Sequence, residues 1–208
     1  MKKIFLTGAS SGIGLACYDL LSHEYNITAP SKEEFNLQNF AAIDQLDLSM
    51  FDIVLNCAGI NVGTYLGFQN NSYTNQVDQT QINFIAPLLL AKQYTKTREN
   101  GHFVYVSSAS VDSPQLYNIF NASSKKALSY SIDILRDNFT NFIFSEICPG
   151  KTKTNMLKKN YNGTKTNAEV DAEYELHPYL LASDVANTIK YAINQKITKI
   201  KLLPTCLK

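Results

Sequence analysis

Between the apolar run Ile4-Phe5-Leu6 and a helical pattern from about Gly12 to His23 lies the stretch Thr7-Gly8-Ala9-Ser10-Ser11-Gly12-Ile13-Gly14. A strand, a glycine-rich turn and a helix in that order can hold a pyrophosphate. Glycine has no Cβ, so it permits the tight turn and lets phosphate oxygens come close to the backbone. The start of the helix aims unpaired N–H groups and the positive end of its dipole at the same place. Gly8, Ser10, Ser11, Gly12, Ile13 and Gly14 are therefore candidate cofactor-binding residues, in the context a dinucleotide-binding turn requires.

Other loops should meet that turn. Short apolar runs at Tyr25–Ala29, Phe35–Leu37, Phe51–Asn56, Gly101–Val106, Phe142–Ile147 and Ile197–Leu203 alternate with longer helical patterns. Such alternation predicts an α/β fold with a doubly wound parallel sheet, helices on both faces. Ligands in open sheets of this kind sit outside the carboxyl ends of the strands. Asn56-Cys57-Ala58-Gly59, Ser107-Ser108-Ala109-Ser110 and Cys148-Pro149-Gly150-Lys151-Thr152-Lys153-Thr154 all fall at such ends. The turn Pro30-Ser31-Lys32 falls where an adenosine ribose would lie, with Asn36 and Leu37 beyond it. A carboxylate there would suit NAD, and a cation suits the 2′-phosphate of NADP. Ser31 and Lys32 come first and Glu33 and Glu34 behind them, which favours NADP over NAD.

The elements that must position these loops are legible in outline. A short helix is predicted near Gln38–Leu46, the polar stretch 60–79 reads as a loop plus the start of a helix, and a long apolar helix follows over Thr80–Arg98, bent or loosened by Pro87. Another helix is predicted over Asn121–Phe139, and a last one to about Gln195, capped by Ser183-Asp184. The polar, lysine- and tyrosine-bearing stretch 157–179 reads as a lid or a solvated connection. Nothing splits the 208 residues, so one domain over 1–208 is expected. A net charge of +1 gives no case for nucleic acid or an acidic membrane surface. No apolar run approaches the ~20 residues that span a bilayer, and the N-terminus reads as a strand rather than a signal peptide. Cys17, Cys57, Cys148 and Cys206 lack paired or metal-type spacing, as thiols of a cytoplasmic protein would. His23, His102 and His177 are dispersed, so no metal site is expected and each is read as a surface or strand-edge residue.

Taken together, Thr7-Gly8-x-x-x-Gly12-x-Gly14, Asn56-Cys57-Ala58-Gly59, Asn83, Ser108, Asn121-Ala122-Ser123-Ser124-Lys125 and Pro149-Gly150-x-Thr152-x-Thr154 resemble the short-chain dehydrogenase/reductase family along nearly the whole chain. The resemblance implies a seven-stranded Rossmann sheet of order 3-2-1-4-5-6-7, a nicotinamide cofactor, and a homodimer or homotetramer formed through two long helices. It also implies roles. Ser108 would hydrogen-bond a substrate carbonyl, Lys125 would hold the nicotinamide ribose, and Asn83 would position a water in a proton relay.

One position departs from the pattern. Where the family has Tyr-x-x-x-Lys, this chain has Asn121-x-x-x-Lys125, thirteen residues after Ser108. An amide does not titrate near neutral pH, so it donates a hydrogen bond but relays no proton. Tyr117, four residues earlier, is one alternative phenol; water or the substrate itself are others. Two readings follow: an NAD(P)-dependent oxidoreductase acting on a carbonyl or alcohol, polar or sugar-like, and a catalytically impaired dinucleotide-binding protein with a regulatory or assembly role.

Overall fold

The computed structural model describes residues 1–113, 116–161 and 164–204. Its centre is a six-stranded sheet, every neighbouring pair parallel. The strands are β1 (Lys3–Thr7), β2 (Asn26–Thr28), β3 (Ile53–Asn56), β4 (Gly101–Val106), β5 (Phe142–Pro149) and an edge strand Lys199–Leu202, called β8 below. Their order is β2-β1-β3-β4-β5-β8. The inner strands are apolar on both faces because helices cover both. Helix α1 (Gly12–Leu21) and a C-terminal helix Ala182–Gln195 (α8) pack on the side of Ile4, Leu6, Leu55, Val104 and Ile147. Helices α2 (Phe40–Asp44), α4 (Ala86–Thr97) and α5 (Ile119–Asn138) cover Phe5, Val54, Phe103 and Phe144. Burying each such side chain contributes about 1.5–3 kcal/mol, so the two cores fix which strand ends face the same way.

The seventh strand expected at Phe35–Leu37 does not form. Turns engage its backbone instead: Phe35 N–H donates to the Ser31 carbonyl and Asn39 N–H to the Asn36 carbonyl, each at 2.9 Å. Side chains hold the flanks, with Ser31 N–H donating to Glu34 Oε2 (2.8 Å) and Gln38 N–H to Asn36 Oδ1 (3.0 Å). Side-chain acceptors of this type compete with a sheet ladder. Phe35 nonetheless turns inward, edge-on to Phe5 at 5.7 Å.

The long helix expected over Thr80–Arg98 is divided. A helix α3 (Tyr73–Thr80) passes through a π-turn at Gln81–Ile85 into α4, where Pro87 lies in the first turn. Proline has no N–H for the carbonyl four residues back, that of Asn83, and a widened turn absorbs the loss. The last helix also starts differently from expectation. Its N-cap is Leu181, and Asp184 reaches back from the third helical position to accept the Leu181 N–H at 2.7 Å.

The stretch 157–179 is neither bare loop nor open connection. Beyond β6 (Thr152–Lys153), helices α6 (Met156–Tyr161) and α7 (Asn167–Leu176) share a small core of Leu157, Tyr161, Val170 and Tyr174. A short strand β7 (Leu180–Leu181) pairs with β6 to close this unit. Thr166 and Glu169 form a capping box on α7. Residues 162–163 of that stretch, and Cys206, lie outside the described residues.

His102 corrects the reading of the histidines. It is buried in β4 with 6% of its surface exposed, and its Nε2 lies 2.7 Å from Ser145 Oγ. The single Ser145 hydroxyl proton goes to the Ile197 carbonyl, so the imidazole donates and the serine accepts. Burial of the ring pulls its pKa down to about 4. His23 and His177 are exposed, as expected. Among the described residues no helix is long and apolar enough to cross a membrane, no acidic or histidine cluster is arranged for a metal, and Cys17, Cys57 and Cys148 are free thiols.

Candidate functional site

A cleft of about 930 Å³ opens at the carboxyl ends of β1, β3, β4 and β5. Its floor at one end is the glycine turn. A Cβ on Gly8 would lie 2.6 Å from Ala58 N, and one on Gly14 would lie 2.0 Å from Gly8 O. These contacts admit no side chain, so the turn folds flat beneath whatever lies above it. Ser11, the N-cap of α1, makes no side-chain capping bond. The first N–H groups of α1 therefore keep the anion-binding character of an open helix start. Turn and helix fit a dinucleotide pyrophosphate.

The cleft brings together most of the residues singled out in the sequence. Gly8, Ser10, Ser11, Gly12, Ile13, Gly14, Ser31, Lys32, Asn36, Leu37, Ala58, Gly59, Ser108, Tyr117, Asn121, Lys125, Pro149, Gly150, Thr152 and Thr154 all line it. Asn56 does not. It is fully buried and accepts the Thr7 hydroxyl at 2.7 Å, which ties β3 to β1 below the turn.

Asn83 also lies behind the cleft wall, where a chain of amides sets its direction. The Ile60 N–H donates to Asn83 Oδ1 at 2.9 Å, and Asn83 Nδ2 donates to the Ile60 carbonyl at 2.7 Å. The backbone N–H can only donate, so it fixes which end of the Asn83 amide is oxygen. Asn83 Nδ2 then donates again, to Asn121 Oδ1 at 3.3 Å. The Asn121 carbonyl is thereby turned to the wall, leaving its N–H₂ without a partner among the described residues.

Ser108 terminates β4 and caps the short 3₁₀ turn Ala109–Val111. Its Oγ accepts from Ser110 N (3.1 Å) and from Ser110 Oγ (2.8 Å). With both acceptor positions engaged, the Ser108 proton is free to donate into the cleft. Lys125, one turn along α5 from Asn121, is 7% exposed and donates to the Val106 carbonyl at 2.7 Å. It has no ion-pair partner among the described residues, and burial pulls its pKa down to about 8. Ser108, Asn121 and Lys125 thus present three donors, an arrangement suited to a carbonyl oxygen that gains negative charge.

A family model described as short chain dehydrogenase matches residues 33–165. The chain belongs to the short chain dehydrogenase family. Solved structures of the same architecture include a small-chain dehydrogenase in complex with NADPH, with TM-score 0.81 and 19% identity over 98% of this chain and 96% of that one. The Thermoplasma acidophilum aldohexose dehydrogenase in ligand-free form aligns with TM-score 0.79 and 18% identity, over 97% of this chain and 91% of that one. An actinorhodin polyketide ketoreductase with NADPH gives TM-score 0.80 and 18% identity, over 97% and 95%. No curated protein matches the sequence.

The short chain dehydrogenase cleft also contains residues that sequence spacing did not mark. Tyr65 stacks on Tyr161 (4.3 Å between centroids) and on Tyr117 (5.3 Å), a column joining α6 to the segment before α5. Burial raises the Tyr65 phenol well above its ordinary range. Held ring to ring, Tyr117 would have to break this stack to swing its phenol toward Asn121. Asn61 donates to Asn118 Oδ1 at 3.2 Å, and Lys159, Asn160, Glu173, Tyr174 and His177 line the cleft from the α6–α7 unit. These residues come from loops and short helices with no shared period, so only their tertiary convergence identifies them.

Proposed function

We propose that the chain is an NADP(H)-dependent oxidoreductase that reduces a carbonyl or oxidises the corresponding alcohol. The observation that carries the reading is the convergence of the glycine turn with Ser108, Asn121 and Lys125 on one cleft. When bound, the nicotinamide supplies hydride chemistry. The glycine turn and the start of α1 would hold its pyrophosphate, and Pro149, Gly150, Thr152 and Thr154 would pack along its nicotinamide end. Lys32, exposed and without an ion-pair partner among the described residues, would receive the 2′-phosphate. NADPH in the related structures supports the same preference.

The residues then divide the work. Ser108 donates to the carbonyl oxygen, the Asn121 amide donates beside it, and Lys125 holds the cofactor ribose. Asn83 keeps Asn121 and the Ile60 peptide in register. The α6–α7 unit, with 157–179, acts as a lid that excludes water from the cleft. Its lysines and amides suit a polar or sugar-like substrate. A cytoplasmic homodimer or homotetramer through α4 and α5 fits the exposed apolar groove of Leu116, Ile119, Ala122 and Tyr130 on α5 and the turn before it.

Calorimetric titration with NADPH and with NADH tests the cofactor assignment. Micromolar NADPH binding is expected, weaker for NADH, and an absence of binding to both would remove the reading. Ser108→Ala should keep cofactor affinity and lose turnover in a screen of sugar-type and simple carbonyls followed by NADPH absorbance. The amide of Asn121 favours a second reading, a dinucleotide-binding protein without turnover. That reading gains if Asn121→Tyr creates activity on substrates the parent leaves untouched.

A further inference from the structure

The reaction proposed above needs a proton for the carbonyl oxygen, and Asn121 cannot release one. We propose that Lys125 is itself the proton donor, delivering a proton from Nζ to a carbonyl oxygen held by the Ser108 hydroxyl and the Asn121 amide. The inference rests on the oxidoreductase reading and adds the acid that reading lacks.

The side chains beside Lys125 at this end of the cleft are poorer acids. The Ile60 peptide fixes Asn83, and Asn83 fixes Asn121, so the group Asn121 offers the cleft is an amide N–H₂ that holds charge without titrating. Ser108 offers a hydroxyl whose oxygen already accepts two bonds, a donor far too weak to ionise. Tyr117 is the end ring of the tyrosine column, stacked on Tyr65. Lys125, on the same helix face as Asn121, is the group of these four that titrates near neutral pH.

Its surroundings are those of a lysine that can let a proton go. Among the described residues Nζ makes one hydrogen bond, to the neutral carbonyl of Val106, and no carboxylate lies within ion-pair distance. The groups that act on its charge are the Cys57 thiol just after β3 and, on β5, the Glu146 carboxylate and Cys148. Glu146 is already committed to Lys199 at 2.9 Å and to the Ser129 hydroxyl at 3.0 Å. On its own helix, Lys126 points to Asp112 at 3.9 Å instead. Desolvation therefore outweighs the attractive charges and brings the ammonium to about 8, where donor and neutral amine coexist near neutral pH.

The step balances. Hydride reaching the carbonyl carbon moves the C=O π pair onto oxygen. An N–H bond of Lys125 breaks as the O–H bond forms, and the neutral amine takes its proton back from water. Alcohol oxidation is the reverse, with the neutral amine as base. Reduction should then fade, and oxidation grow, as pH rises through the lysine's midpoint.

The deciding measurement is made on the free protein. The chain is labelled with ¹³C-lysine and titrated by NMR, with Lys125→Arg used to assign the resonance. A midpoint near 8 for Lys125 is expected. A midpoint near the ordinary lysine value, about 10.4, would overturn the proposal and leave the cofactor reading standing. NADPH oxidation by 4-nitrobenzaldehyde as the carbonyl probe is then followed against pH. The parent rate should fall about tenfold per pH unit above the NMR midpoint, and a rate flat across that midpoint overturns the assignment. Failure to bind NADPH would instead withdraw the oxidoreductase reading, and is told apart because the titration needs no cofactor.

Discussion

At the residue scale the site depends on what each group can and cannot donate. A serine with two acceptor bonds filled, an amide whose oxygen is turned to the wall and a desolvated lysine set three donors side by side. The glycine turn is equally specific. Gly14→Ala would place a methyl against Gly8 O, where a Cβ lies at 2.0 Å. It should destabilise the chain by roughly 1–3 kcal/mol and abolish NADPH binding, read by urea unfolding and calorimetry. His102 gives a pH signature of stability. Its folded value, about 4, lies below the unfolded 6.5, so the unfolded state binds the proton first as pH falls. Full stability is present above about pH 6.5 and is lost toward pH 4. The loss at pH 5 should be about 2 kcal/mol. Urea unfolding at pH 7.5 and 5 checks this, with His102→Gln expected to lose less over the same interval.

At the element scale two junctions hold the cleft in shape. The π-turn at Gln81–Ile85 presents Asn83 to the loop after β3, and its amide makes both hydrogen bonds to the Ile60 peptide. Asn83→Ala leaves the part-buried N–H and C=O of Ile60 without these partners, at a cost of about 1–3 kcal/mol. Amide exchange at Ile60 should accelerate while β4 and β5 keep their protection; unchanged exchange would contradict the role given to Asn83. The second junction is the tyrosine column. Tyr65→Ala removes the middle ring and both stacked pairs, together worth about 1–3 kcal/mol. The α6–α7 unit should then be cut sooner by limited proteolysis, with the main sheet intact. The sequence marked 157–179 as polar, and polar it is. Its four-residue core could not be read there, because Leu157, Tyr161, Val170 and Tyr174 meet across two short helices rather than along one.

At the scale of the whole molecule, cofactor and partner should both register as stability. A ligand that binds only the folded chain adds about 2.7 kcal/mol at a hundred times its dissociation constant. NADPH should therefore raise the thermal midpoint more than NADH does, and Lys32→Ala should shrink the difference. An equal shift by both cofactors would remove the role assigned to Lys32. The apolar groove on α5, with Tyr130 exposed beside it, makes assembly testable in the same way. Tyr130→Asp should shift sedimentation toward the monomer and leave NADPH affinity unchanged.

The parallel α/β sheet, the glycine turn at the end of β1 and the candidate loops at the strand ends could be read directly from residue order. Those signals are local: strand periodicity, a run of glycines between a strand and a helix, and the alternation of elements. The sequence also determined that position 121 carries an amide. Tertiary structure decided the rest. It replaced the third expected strand by turns, sank His102 into the sheet, aimed Asn121 through Asn83 and Ile60, and left Lys125 buried with no carboxylate partner among the described residues. Each of these depends on groups far apart in the chain and on how much water their packing excludes, and spacing along the sequence encodes neither.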